Sequence, residues 1–419
     1  MDPLEEDSAV WRFSDRAQAL SGSAIRDIVK KISQRPEVIS FAGGLPSPAT
    51  FPVDTIRAAY DAVLTREGKS ALQYSATDGY APLRGWIADT LSTNGARIAP
   101  EQVMMVSGSQ QGLDLLGKVL INEGDLVIVE TPTYVGALHA MGIYGPRFVS
   151  IPMDEEGLVP SALPDVMKRC AGGRASFLYT IPTFQNPTGR TLSHARRVAL
   201  VEEAARAKLL VVDDDPYRLL DHAGTTYQTL LSMRPEAVVH LGSFSKILAP
   251  GIRLGYIVAP LPLAQKLEQA KQGADLHTST LTQMMAYEII KDGFLDTHLV
   301  GSRKIYAAQC AAMLEAMQDH FPRGATWTKP TGGMFVWATL PQGIDAAHML
   351  DAALKENVGY VPGGPFFAEA PSANTLRLSF ATVTPEKMRE GIARLGKVIA
   401  ASQGLQSARV ARTAGGGAG

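Results

Sequence analysis

Leu241-Gly242-Ser243-Phe244-Ser245-Lys246-Ile247-Leu248-Ala249-Pro250-Gly251-Ile252-Arg253-Leu254-Gly255-Tyr256 is the stretch on which the reading of this chain turns. Its upstream flank, Glu236 to Gly242, is apolar and valine-rich, the pattern of a short buried strand. Two hydroxyls, Ser243 and Ser245, then bracket a single lysine, and Arg253 follows seven positions on, ahead of a second apolar run from Leu254. A lysine leaving a strand end among apolar residues is partly desolvated, which lowers its pKa and makes the neutral, nucleophilic amine accessible. Two serines and an arginine close by suit a phosphate, through charge-assisted hydrogen bonds. Taken alone, Ser-x-Ser-Lys is equally a surface lysine in a serine-rich turn.

At 419 residues the chain can bury a large core and is expected to divide into two domains. A formal net charge of −1 gives no reason to expect nucleic acid or an anionic membrane as partner. The beginning, Met1-Asp2-Pro3-Leu4-Glu5-Glu6-Asp7, is acidic and lacks the basic, apolar pattern of a secretion signal. No apolar run approaches the ~20 residues of a membrane span. Cys170 and Cys310 are the only cysteines, too few for a disulfide framework or a cysteine metal cluster, and no metal site is expected. The expectation is a cytoplasmic protein.

Working outward, an amine nucleophile beside a phosphate site is what pyridoxal 5′-phosphate needs. Val103 to Val106 reads as a strand leading through Ser107-Gly108-Ser109-Gln110 into a helix. A Gly/Ser turn opening a helix offers free N–H groups and the positive dipole end to an anion, although serine-rich caps are also common. Strand 125–130 ends at Thr131-Pro132-Thr133-Tyr134, where the aromatic suits either a planar ring or the core. Strand 176–180 precedes Asn186-Pro187-Thr188-Gly189, by itself an ordinary turn. Strand 208–212 ends in Asp213-Asp214-Asp215-Pro216-Tyr217; three adjacent acids at a strand end need partners if buried. Helices are expected over 24–32, 193–207 (capped by Ser193), 261–273, 280–320 and 344–356. Arg377 interrupts the strand Thr375 to Phe380 and offers a planar fork for a carboxylate.

These segments together resemble the fold-type I, class I/II aminotransferases, over roughly residues 20 to 400. The resemblance is carried by Gly108-Ser109-Gln110, Asn186 to Gly189, Asp214 to Tyr217, Ser243 to Lys246 with Gly251 to Gly255, and Arg377, in that order. It implies an α/β fold of the PLP-dependent transferase fold type I, with a mostly parallel sheet in a large domain and a smaller α/β domain. The boundaries expected are 1–50 for an arm and part of the small domain, 51–299 for the large domain, 300–402 for the small one, and 403–419 for a disordered tail. It implies pyridoxal 5′-phosphate held by Lys246, with Ser109, Gln110, Ser243, Ser245 and Arg253 toward its phosphate and Tyr134 stacked on its ring. Family spacing places a tyrosine three residues after the acid that faces the pyridine nitrogen, which selects Asp214; Tyr217 and Asn186 then meet the cofactor's phenolic O3′. Tyr74 would reach across a homodimer interface to the partner's cofactor, so that active sites are shared. Gly44 lies in a loop, Gly43-Gly44, expected over the substrate, whose α-carboxylate Arg377 would anchor beside Asn186. Lys246, freed from the cofactor, would move the Cα proton.

Within the family, Ala24-Ile25-Arg26, Gln73-Tyr74-Ser75 and Asp213 to Tyr217 are similar to the branch of 2-aminoadipate and kynurenine aminotransferases. That implies a helix covering the site, with Arg26 toward a substrate's distal carboxylate; the plain alternative is a solvated helix-surface arginine. The expected reaction moves an amino group from an L-amino acid to a 2-oxo acid such as 2-oxoglutarate. A β-lyase or decarboxylase would share every cofactor residue and stays open at this point. A non-enzymatic regulator would need a basic helix-turn-helix module, and the 20–40 residues ahead of the resemblance are acidic to neutral.

Overall fold

The computed structural model describes residues 11–18, 20, 22, 24–93 and 95–415. Eight strands form one sheet: β1 (Val103–Val106), β2 (Leu126–Thr131), β3 (Arg147–Asp154), β4 (Gly157–Leu158), β5 (Ala175–Thr180), β6 (Val211–Asp214), β7 (Val238–Ser243) and β8 (Gly255–Val258). Their order is β1-β8-β7-β6-β5-β2-β3-β4. The five central strands, β7, β6, β5, β2 and β3, are parallel, while β8, β1 and β4 add antiparallel edges. The apolar runs 127–129 and 211–212 are buried throughout, as strands covered on both faces must be. The chain therefore has the mostly parallel sheet that was expected.

Four helices frame the cavity and its supports: α1 (Ala24–Ser33), α2 (Ser109–Leu120), α3 (Val135–Gly142) and α4 (Leu261–Gln272). Helix α2 packs on β7 and β8, and Gly112 makes the approach possible: a Cβ there would lie 2.9 Å from Leu241 and 3.3 Å from Ile257. A second sheet, fully antiparallel, is built from β9 (Thr326–Trp327), β10 (Phe335–Thr339), β11 (Val361–Pro362) and β12 (Thr375–Ser379), in the order β9-β10-β12-β11. Residues Ile39–Ser40 pair with Val358–Gly359, so the early chain is tied to the unit built by the late chain.

Two local expectations change. The helix read over 280–320 is two, Thr280–Ile290 and Phe294–His320, parted where Gly293 takes φ 79°. β6 begins at Val211 rather than Lys208, because Lys208 sits at φ 52°, outside the extended region. The last helix runs Pro385–Gly415 and so extends into the segment expected as a tail. Residues 416–419 and the first ten of the expected arm lie outside the described residues. No helix among the described residues is long and apolar enough to cross a membrane.

Candidate active site

The carboxyl ends of the parallel strands open on a cavity of about 690 Å³, where open α/β sheets bind ligands. Asp214 ends β6, Ser243 ends β7, Lys246 follows it by three residues, Tyr134 follows β2 by three, and Asn186 follows β5 by six. All of these line the cavity, as do Arg26, Gly44, Ser109, Gln110, Tyr217, Ser245, Arg253 and Arg377. Tyr74 does not; it is 79% exposed on the surface, its ring edge-on to His277 at 5.8 Å.

The three adjacent acids have three different fates. Asp213 accepts from the Leu230 N–H and meets His240 Nδ1 at 3.1 Å, and Asp215 pairs with Arg218 at 2.6 Å. Asp214 accepts from the Tyr179 hydroxyl, at 2.7 Å. Among the described residues its Oδ1 is buried without a partner. Asp213 also leaves one oxygen unpaired, but only Asp214 of the three lines the cavity. Burial, opposed by the Tyr179 bond and assisted by the neighbouring acids, pushes Asp214 up to about 7. A buried, unpaired carboxylate oxygen on a residue that lines a cavity is a costly feature that a cationic ligand atom beside it would relieve.

Lys246 donates to the Gly44 carbonyl at 3.2 Å. Burial, with Arg253 and Arg377 nearby, brings its amine down to about 8. Arg377, 4% exposed, gives one η nitrogen to Asn186 Oδ1 at 3.0 Å and the other to the Ala42 carbonyl at 2.8 Å. Its guanidinium lies over the rings of Phe335 (4.4 Å) and Phe366 (5.0 Å), which fix its plane. Burial lowers it to about 10, still charged at neutral pH, and among the described residues its Nε has no partner. Burial raises the Tyr217 hydroxyl, and Asn186 beside it opposes that shift.

The anion end is the turn into α2. Gly108, at φ 90°, caps the helix, and a Cβ there would collide with the Arg253 guanidinium. Arg253 itself reaches the Ser107 carbonyl at 3.4 Å. The Ser245 N–H donates to Ser243 Oγ at 3.1 Å, closing the loop before Lys246. Gln110 Nε2 holds the Gly136 carbonyl at 2.9 Å, and Gly136 has no side chain to obstruct the Tyr134 ring. A phosphate, a planar ring and a protonated ring nitrogen thus have a cup, an aromatic wall and an unpaired carboxylate to meet, and the residues fit pyridoxal 5′-phosphate.

One supporting network escaped the sequence reading. Glu130, 1% exposed at the end of β2, accepts from Thr180 Oγ1 at 2.6 Å, from the Ile181 N–H at 3.3 Å and from Gln185 Nε2 at 3.0 Å. Gln185 immediately precedes Asn186, so this buried acid fastens the turn that carries it. Burial, against those three bonds and with Asp214 adding to it, pushes Glu130 up to about 7. An acid ending an apolar strand reads as solvated, and no periodicity marks it otherwise.

The raised acids have a measurable consequence. A carboxyl whose folded pKa lies above its unfolded value near ~4 stabilises the fold while protonated, and that contribution is lost as pH rises through the folded value. In cofactor-free protein, wild type should therefore lose stability relative to Asp214→Asn between about pH 4 and 7. Denaturant titrations at pH 5 and pH 8 would read this; a stability difference independent of pH would contradict it.

The fold and site define the fold-type I pyridoxal-phosphate-dependent transferases. Residues 37–395 match the family Aminotransferase class I and II, and the chain belongs to it. It is 45% identical over 403 residues to a 2-aminoadipate transaminase of Thermus thermophilus, covering 95% of this chain and 98% of the other. It is 44% identical over 391 residues to aromatic-amino-acid aminotransferase 1 of Thermococcus litoralis, covering 92% and 94%. The structure of an α-aminoadipate aminotransferase from Thermus thermophilus, complexed with N-(5′-phosphopyridoxyl)-L-leucine, superposes with a TM-score of 0.86 at 44% identity. That match covers 94% of this chain and 98% of the other. By family this is a pyridoxal-phosphate-dependent aminotransferase.

Proposed function

We propose that this enzyme transfers the amino group of L-amino acids with acidic or apolar side chains to a 2-oxo acid such as 2-oxoglutarate, with a 2-aminoadipate-like or broad donor range. The observation that carries the site assignment is the single cavity joining Lys246, the unpaired Asp214 oxygen and the clamped Arg377. Bound there, pyridoxal 5′-phosphate supplies an aldehyde for amine exchange and a ring that accepts electrons when its nitrogen is protonated. Asp214 keeps the proton on that nitrogen. Asn186 and Tyr217 hold the phenolic oxygen, Tyr134 covers the ring, and Ser109, Gln110, Ser243, Ser245 and Arg253 take the phosphate. Arg377 binds the substrate α-carboxylate, with Asn186 and the Gly44 loop beside it. Lys246 would hold the cofactor covalently and, as a free amine, would take the Cα proton as base and return it as acid.

The division into 51–299 and 300–402, with 1–50 split between arm and small domain, is supported by the separate eight-stranded and four-stranded sheets and by the pairing of Ile39–Ser40 with Val358–Gly359. We read the assembly as a cytoplasmic homodimer: Leu72, Tyr74 and Leu276 are exposed apolar side chains, and a second copy would cover them. Tyr74 would then serve the partner's phosphate cup.

Donor choice rests on α1. Arg26, Val29, Lys30 and Ser33 all line the cavity from one face of that helix. If Arg26 meets a distal carboxylate, Arg26→Ala should lower kcat/KM for glutamate and 2-aminoadipate about ten- to a hundredfold, and change leucine or an aromatic donor little. A panel of donors with 2-oxoglutarate tests both the range and the arginine. A uniform loss across acidic and apolar donors would leave Arg26 a surface residue, and no activity with any L-amino acid would overturn the function.

A further inference from the structure

Lys271 is a wholly buried lysine that no step of the reaction uses. Lysines are almost never fully buried unless paired, and each such case needs a reason. It sits in the last turn of α4 and donates to both carboxylate oxygens of Asp275, at 2.6 and 2.8 Å, and to Gln111 Oε1 at 3.1 Å. Asp275 accepts in addition from Gln111 Nε2 at 2.6 Å and from the Ser107 hydroxyl at 3.2 Å. Gln111 Oε1 takes the Ser107 backbone N–H at 2.7 Å, and the Ser107 carbonyl receives Arg253. The group therefore grips, from behind, the turn that opens α2 and carries the anion end of the cavity. Asp275 supplies two of the bonds that fix this turn, yet it brings a negative charge close to where a phosphate is to be received.

We propose that Lys271 is a positioning residue for cofactor binding: by neutralising Asp275 it lets that carboxylate fasten the Ser107 turn without repelling the phosphate. The inference rests on the proposed cofactor site. The competing reading is a helix-end ion pair that only secures α4. The two differ in what happens when each charge is removed. With Lys271 gone, an uncompensated carboxylate stands behind the phosphate cup. With both gone, bonds are lost but no charge is left over.

The test is titration of pyridoxal 5′-phosphate into cofactor-free protein, followed by absorbance, with thermal midpoints measured alongside. Lys271→Met should raise the Kd about tenfold, an effect that shrinks with added salt because Asp275 is partly exposed. Asp275→Asn should weaken binding less. The double variant Lys271→Met/Asp275→Asn should bind more tightly than Lys271→Met alone, a rescue that a purely structural pair would not give. Equal Kd values in the single and double variants, or an unchanged Kd with a lowered midpoint, would overturn the proposal. If Lys271→Met does not fold, Lys271→Gln, whose amide can still reach Asp275, replaces it. A wild type that takes up no cofactor would overturn the site reading itself; a wild type that binds, beside variants that bind equally well, overturns the role of Lys271 alone.

Discussion

Lys246→Ala should lower turnover by at least about 10⁴-fold and abolish the absorbance of covalently held cofactor. Lys246 lines the cavity beside the strand end that carries Asp214, with Arg377 of β12 lining the same cavity, whereas Lys30 enters it from α1. Its desolvation matters to the size of the effect: with its pKa brought down to about 8, a substantial neutral fraction exists at physiological pH, whereas an exposed lysine would be almost wholly protonated. The phosphate end does not depend on it. Arg253, the loop closed by Ser243 and the turn into α2 remain in the variant, so cofactor should still be taken up, weakly and reversibly. Spectra of purified protein before and after dialysis, with kcat for a fast donor, read both effects. Retention of a covalent absorbance band and normal turnover would remove Lys246 from the chemistry.

Asp214→Asn should keep the cofactor bound and slow proton abstraction on the order of 10²–10³-fold, the cost of losing a preorganised charge at the point where charge develops. Asn cannot stabilise a protonated ring nitrogen as a carboxylate does. The neighbours supply the control. Asp213 is committed to His240 and the Leu230 N–H, and Asp215 to Arg218, so Asp213→Asn and Asp215→Asn should lower stability more than rate. Deuteration at substrate Cα separates the cases: the isotope effect on kcat should grow for Asp214→Asn and stay near wild type for the others. Equal rate losses at all three positions would undo the choice of Asp214.

Much of this site could be read in the chain because its residues sit at strand ends, where an apolar run stops and a polar cluster begins. Lys246, Asn186 and the Asp213–Asp215 cluster each come after such a run. What the pattern could not do was choose among the three acids. That choice came from family spacing, and the register explains it: Asp213 lies opposite His240 on β7 while Asp214 lies opposite Leu241, so alternation along β6 sends their side chains to opposite faces. Glu130 and Lys271 were not legible. One ends an apolar strand and the other sits in the polar run Gln269-Ala270-Lys271-Gln272, and both look like surface residues until the turns that cover them are in place. The single helix read over 280–320 failed for a related reason. Its hydrophobic spacing continues across the break, and only the positive φ of Gly293 parts it.

Transamination, as opposed to elimination or decarboxylation by the same residues, is decided by one turnover without an acceptor. Enzyme loaded with pyridoxal 5′-phosphate is mixed with excess L-glutamate or L-2-aminoadipate in the absence of any 2-oxo acid, and products are quantified per site. One equivalent of the matching 2-oxo acid should appear with one equivalent of pyridoxamine 5′-phosphate, and 2-oxoglutarate should then restore the original spectrum. Release of ammonia or carbon dioxide over many turnovers, with the cofactor left in its aldehyde form, would contradict it.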